Sequence, residues 1–127
     1  MKPQKFSFSK RIKSFTFALN GLKVLFQEEH NARVHLFATI IVTSTGIFFN
    51  LSSLEWVALI FAIGFVITVE IINTTVENIS DFISPEKNNS IKKIKDLAAG
   101  AVLISALTAL TIGLVIFIPK VYILLNT

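Results

Sequence analysis

The sequence predicts an all-α membrane protein with three transmembrane helices, preceded by an amphipathic helix in the membrane interface. Of its 127 residues, 53% are hydrophobic and 16% are charged, which leaves too much apolar surface for a soluble fold of this size. Three stretches are long and apolar enough to cross a bilayer, which takes roughly 17–25 residues per helix. The chain is too short for two ordinary domains, so we expect one domain over residues 1–127.

The predicted transmembrane helices cover about residues 34–50, 54–83 and 96–118. The first is the shortest, and the second begins as an apolar run and continues as a polar helix. The third has no charged residue from Leu97 to Ile118, and its small side chains permit close helix packing in lipid.

The predicted surface helix covers about residues 7–32. Apolar side chains recur on one of its faces at helical spacing: Ile12, Phe15, Leu19, Leu22 and Phe26. This pattern is typical of a helix that lies in the membrane interface. Packing of the same face onto the transmembrane bundle is the alternative, and both arrangements can hold together.

The basic residues are distributed unevenly and predict the orientation of the chain. Seven of the twelve Lys and Arg residues, Lys2 among them, precede the first span and four lie between the second and third, whereas only Lys120 follows the third. Positive charge accumulates on the cytoplasmic side, so we expect a cytoplasmic N-terminus and a C-terminus outside. Because these residues flank apolar segments, the net charge of +4 indicates an anionic membrane surface as partner and not nucleic acid. The chain has no cysteine, which excludes thiolate metal sites.

The segment "VITVEIINTTVENISD", residues 66–81, places a carboxylate inside the membrane. Glu70 follows the second span's first residue, Leu54, by sixteen positions, which is about 24 Å into a hydrocarbon core roughly 30 Å thick. Ionisable residues are rare at such depth and are functional by default; a structural hydrogen bond to a neighbouring helix is the alternative. Glu70 is therefore a candidate catalytic base.

A polar stripe continues from Glu70 along one face of the same helix, through Asn73, Glu77 and Asp81. Carboxylate and amide oxygens suit Mg²⁺ bound together with a phosphate group. Glu29, in the last turn of the predicted surface helix at the same membrane face, can converge with Glu77 on one metal ion. The sequence has no glycine-rich phosphate loop of the GxxxxGK[ST] type, so any ATP site must be of another kind.

The motifs "VEIINTTVENISD" and "KIKDLAAGAVLI" together closely resemble those of the small prokaryotic membrane diacylglycerol kinase family. The likeness covers nearly the whole chain. It implies a homotrimeric enzyme of the bacterial plasma membrane that transfers the γ-phosphate of ATP to a lipid hydroxyl.

The resemblance also implies roles for individual residues. Glu70 would be the general base with Asn73 beside it, and Glu29 and Glu77 would hold Mg²⁺. The remaining contacts to the nucleotide would come from basic, acidic and amide side chains near the membrane surface, namely Lys10 or Arg11, Glu86, Lys87, Asn88, Lys95 and Asp96.

The chain departs from members that act on diacylglycerol at Phe17, Ala18 and Val34, where those members tend to carry polar residues. "FALNGL" and "DLAAGAV" are more similar to the Gram-positive branch, whose members resemble undecaprenol kinases. We therefore expect undecaprenol as the lipid substrate, with diacylglycerol as the alternative. A small proton-coupled transporter is a remote alternative, because it leaves Glu77, Asp81 and the Lys95–Asp96 pair unexplained.

Overall fold

The computed structural model describes residues 5–127, and this part of the chain contains four α-helices and no β-strand. They are α1 (Phe8–Glu28), α2 (His30–Phe48), α3 (Ser53–Ile83) and α4 (Asn89–Leu125). The predicted all-α class is confirmed. Lys2, which contributed to the predicted charge asymmetry, lies outside the described residues.

Within residues 5–127, α3 and α4 are the two helices that are long and apolar enough to cross a membrane. Their 31 and 37 residues give lengths of about 46 and 55 Å, well beyond the roughly 30 Å of a hydrocarbon core. The predicted first span lies in α2, which has 19 residues and is less apolar because its first two turns carry His30, Asn31, Arg33 and His35.

The predicted surface helix of residues 7–32 is wrong as a single helix, because Glu29 interrupts it with an extended backbone (φ −106°, ψ 112°). Neither Gly nor Pro marks this break, so the sequence carries no ordinary stop signal there. The Arg33 guanidinium satisfies the free carbonyl groups at the end of α1. It donates hydrogen bonds to the carbonyl oxygens of Phe26, at 2.7 Å, and of Gln27.

Most of α1 projects its apolar side chains away from the other helices. Leu25, near its C-terminal end, is the α1 residue that is buried. Phe8, Ile12, Phe15 and Leu19 stay exposed. The rest of the chain therefore covers only the last turns of α1, and its apolar face remains available to lipid.

The turn between α2 and α3 depends on a close approach at Gly46. A Cβ atom at this position would lie 2.9 Å from Leu51 Cδ1 and 2.9 Å from Trp56 Cη2. Asn50 adopts the left-handed conformation (φ 51°), and Ser52 begins α3 with a reciprocal capping box to Glu55. This turn fixes α2 against the start of α3.

α4 packs mainly against α3 and is longer than the 96–118 predicted for the third span. Asn88 caps its start by accepting hydrogen bonds from the Ser90 and Ile91 backbone N–H groups. Pro119 costs the helix one backbone hydrogen bond without ending it. A Glu55–Lys120 ion pair at 3.0 Å joins the two helices near the α2–α3 turn.

Gly46→Ala should destabilise the protein by about 1–3 kcal/mol, since the added methyl group must displace Leu51 or the Trp56 ring. Thermal unfolding in detergent measures the effect. Gly113→Ala is the matched control, because a Cβ at Gly113 meets no atom within 4 Å. Equal melting temperatures for the two variants would contradict the close approach at Gly46.

Candidate active site

Glu70 is the most deeply buried charged side chain of the described helices, with 1% of its surface exposed. Neither of its carboxylate oxygens has a hydrogen-bond partner. His35 of α2 lies beside it, with Nε2 3.2 Å from Glu70 Oε1. A buried carboxylate without hydrogen bonds is costly, so its position in α3 requires an explanation beyond packing.

The residues one turn beyond Glu70 continue the polar face. Asn73 is 8% exposed and Thr74 is 6% exposed, and the Asn73 side-chain oxygen also lacks a hydrogen-bond partner. Glu77 is half-buried, and Asp81 is exposed. The stripe therefore runs from a buried end at Glu70 to an open end at Asp81.

Glu29 brings a second carboxylate to this face from the break between α1 and α2. Its pKa is raised above the ordinary value of 4.5 by partial burial and by the negative charges of Glu77 and Glu70, while the nearby Thr74 hydroxyl opposes the rise. Glu29, Glu70 and Glu77 are thus near neighbours, and the structure brings together the two residues expected to share a metal ion.

The carboxylates of Glu29 and Glu77 suit a Mg²⁺ ion whose other ligands come from outside the protein. Among residues 5–127, no group of three or more His, Cys, Asp or Glu side chains is arranged to hold a metal ion. Mg²⁺, however, is commonly held by one or two carboxylates together with substrate phosphate oxygens and water. The mutual repulsion of Glu29 and Glu77 is what a cation between them would relieve, so these residues fit the ion.

Two of the candidate nucleotide contacts near the α3–α4 loop, Lys95 and Asp96, form ion pairs in this structure. Lys95 Nζ lies 2.5 Å from Asp81 Oδ1, and Lys92 Nζ lies 2.7 Å from Asp96 Oδ2. Lys95 and Asp96 therefore point to different sides of α4. In the loop, the Ser84 hydroxyl donates to the Glu86 carbonyl oxygen, and Lys87 is exposed.

Lys10 and Arg11 lie near the other end of α1. Arg11 and Glu29 are eighteen positions apart, which corresponds to about 27 Å along a helix. The Arg11 guanidinium sits over the Phe6 ring, 5.5 Å from its centre. One copy of the chain does not bring these residues to the carboxylate cluster.

Three residues of the site were not predicted from the sequence. His35 contacts Glu70, Thr74 lies against Glu29, and Arg33 holds the break that places Glu29. Thr74 could have been found, because it follows Glu70 by four positions on a helix. The other two depend on how α2 packs, which periodicity does not reveal.

The fold and this site define a helical membrane protein with an acidic cluster where a membrane-spanning helix becomes polar. The sequence profile of the prokaryotic diacylglycerol kinase family matches residues 16–117. The chain is 36% identical over 108 residues to an undecaprenol kinase of Bacillus subtilis, covering 85% of this chain and 88% of that protein. It is 30% identical over 107 residues to a diacylglycerol kinase of Synechocystis, covering 84% of this chain and 61% of the relative.

A diacylglycerol kinase of Helicobacter pylori is also similar, with 28% identity over 102 residues and 80% of each chain covered. The chain belongs to the prokaryotic diacylglycerol kinase family. The predicted membership, and with it the class of lipid kinase, is confirmed.

Glu77→Gln should stabilise the metal-free protein at pH 7 by about 0.2–1 kcal/mol, the usual range for one charge interaction near a surface. Glu29 has a raised pKa in the folded state, so the unfolded state loses its proton first as the pH rises above 4.5. The destabilisation by this repulsion is therefore absent below pH 4.5, grows as the pH rises from 4.5 to the folded-state pKa of Glu29, and is complete above that pKa. Melting temperatures in EDTA at pH 4 and pH 7 test this, and a variant that is less stable than wild type at pH 7 would contradict it.

Mg²⁺ should raise the melting temperature of the wild type without any nucleotide. At ten times the dissociation constant, the gain in unfolding free energy is about 1.4 kcal/mol. Glu29→Gln and Glu77→Gln should each remove most of the gain, whereas Glu28→Gln, the exposed neighbour, should keep it. An undiminished Mg²⁺ shift in both site variants would exclude this carboxylate pair.

Proposed function

We propose that the chain transfers the γ-phosphate of ATP to the hydroxyl of undecaprenol, giving undecaprenyl phosphate. The observation that carries the proposal is the buried Glu70 carboxylate, which has no hydrogen-bond partner and lies beside a pair of carboxylates suited to a metal ion. A lipid hydroxyl reaches such a position from the bilayer, and a nucleotide reaches it from water.

In the proposed reaction, Glu70 takes the proton of the lipid hydroxyl as the oxygen forms its bond to the γ-phosphorus. The bond between that phosphorus and the β–γ bridging oxygen breaks, and ADP leaves. Asn73, one turn along α3, offers an amide that can orient the hydroxyl or a phosphate oxygen. Phosphoryl transfer needs mainly alignment and charge neutralisation, which a small site of this kind can supply.

Glu29 and Glu77 would hold Mg²⁺, which supplies neutralisation of phosphate charge when bound. The half-buried position of Glu77 leaves room for ligands from outside the protein. This arrangement also explains why two repelling carboxylates are kept together, because the cation offsets a repulsion that otherwise raises the pKa of Glu29.

The proposed nucleotide site combines Lys95, Asp96, Glu86, Lys87 and Asn88 with either Lys10 or Arg11. Lys95 must exchange its ion pair with Asp81 for a phosphate, which is inexpensive because both groups are partly in water. Arg11 is about 27 Å along α1 from Glu29. A role for Arg11 in nucleotide binding therefore favours the homotrimer, because α1 of one copy can lie beside the carboxylates of another.

The proposed topology has three spans in the bacterial plasma membrane, with the N-terminus in the cytoplasm and the C-terminus outside. α2 would be the first span, and its 19 residues give about 28 Å. The hydroxyls of Thr39, Ser44 and Thr45 donate to carbonyl oxygens one turn earlier in α2, which lowers the cost of placing them in lipid.

Undecaprenol is favoured over diacylglycerol by the relatives and by three apolar residues of α1 and α2. The undecaprenol kinase of Bacillus subtilis matches at 36% identity, against 30% and 28% for the two diacylglycerol kinases. Phe17, Ala18 and Val34 offer no polar group to a glycerol headgroup. A polyprenol has only its hydroxyl to recognise, and an apolar surface suits it.

The test is a competition in one detergent preparation between undecaprenol and a diacylglycerol, with Mg²⁺ and γ-labelled ATP. We expect the label mainly on undecaprenol. Glu70→Gln should reduce the turnover number by about 10²–10⁴-fold while the protein remains folded, since it removes the proton acceptor.

Glu55→Gln is a control for the loss of a carboxylate at the opposite end of α3 and should keep the turnover number. Label mainly on diacylglycerol would overturn the choice of lipid. Full activity of Glu70→Gln would overturn its role as the base.

A further inference from the structure

His35 is the basic side chain beside the buried carboxylate. Its Nε2 lies 3.2 Å from Glu70 Oε1, and its side chain is 25% exposed against 1% for Glu70. Among residues 5–127, His35 is the basic residue with a nitrogen within 4 Å of the Glu70 carboxylate. The imidazole therefore has one side against the carboxylate and one side that other groups can reach.

The contact is close without being aligned as a hydrogen bond, since both Glu70 oxygens lack a partner. Rotation about the outer torsion of a histidine is soft, so a small turn of the ring would direct an Nε2–H at Oε1. Hydrogen bonds in catalytic sites are often misaligned without substrate and become aligned when it binds.

The position of His35 follows from how α2 packs against α3. Ala32, one turn before it, is 2% exposed, and Gly46, three turns after it, is buried against Leu51 and Trp56. The Thr39 hydroxyl donates to the His35 carbonyl oxygen at 2.7 Å. His35 thus lies on the face of α2 that points to α3.

His35 also stands at the polar end of an apolar cavity. The cavity, of about 450 Å³, lies between α2, α3 and α4, and its lining is apolar except for His35 and Thr39. Val66, one turn before Glu70, belongs to the same lining. A lipid alcohol whose hydrocarbon entered here would bring its hydroxyl to the junction of His35 and Glu70.

We propose that His35 is a positioning residue for Glu70, which holds Oε1 through an Nε2–H donor and leaves Oε2 free to accept the proton of the lipid hydroxyl. The inference rests on the proposed kinase function and adds a residue to it. Proton balance is unchanged, because the hydroxyl proton passes to Oε2 and the imidazole keeps its own. Orienting one carboxylate oxygen reduces the reorganisation needed as the reaction proceeds.

The test compares two substitutions that separate packing from hydrogen bonding. His35→Phe keeps a ring of similar size without a donor, and His35→Gln keeps a donor without a ring. We expect His35→Phe to lower the turnover number on the order of tenfold to a hundredfold, with the KM for ATP within about twofold of wild type. His35→Gln should recover most of the loss.

His30→Phe is the matched control, since His30 lies in the first turn of the same helix and is exposed. Thermal unfolding of each variant separates lost turnover from lost folding. Wild-type turnover in His35→Phe, or equal losses in His35→Phe and His35→Gln, would overturn the proposal while lipid phosphorylation by the wild type stands. Absence of lipid phosphorylation by the wild type would instead overturn the function on which it rests.

Discussion

The burial of the Glu70 carboxylate is the constraint on which the rest of this structure depends. Removing a charged carboxylate from water costs several kcal/mol unless it is paired, and within residues 5–127 the basic side chain beside Glu70 is His35, with Nε2 3.2 Å from Oε1. That contact exists only if α2 is fixed against α3. The close approach at Gly46 fixes one end of α2, and the break at Glu29 fixes the other.

The same break determines the electrostatics of the site. Because α1 stops at this point, Glu29 lies beside α3 and close to Glu77, and the Arg33 guanidinium satisfies the carbonyl groups that the break exposes. The carboxylates repel one another in the free protein, so the site favours the arrival of positive charge. In the proposed reaction, a metal ion that binds together with ATP would supply that positive charge.

Much of this arrangement could be predicted from the sequence, for physical reasons that are specific to each element. The uncharged run before Glu70 indicates that this carboxylate is buried. The helical spacing of Asn73 and Glu77 indicates that they lie on the same face of α3 as Glu70. The end of α1 at Glu29 could not be predicted, since neither Gly nor Pro causes it and the partner that satisfies it, Arg33, lies several residues beyond. The contact of His35 with Glu70 depends on the rotation of one helix against another, which periodicity leaves open.

In the proposed mechanism, Glu29, Glu77 and Glu70 form one site for a metal ion and a proton acceptor. The most direct measurement is NMR of the side-chain carboxyl carbons of ¹³C-labelled glutamate, with Mn²⁺ in place of Mg²⁺. Paramagnetic broadening should be strong at Glu29 and Glu77 and clear at Glu70. It should be absent at Glu55, which lies fifteen residues or about 22 Å from Glu70 along α3. Broadening that spares Glu70, or that affects Glu55 equally, would contradict the account.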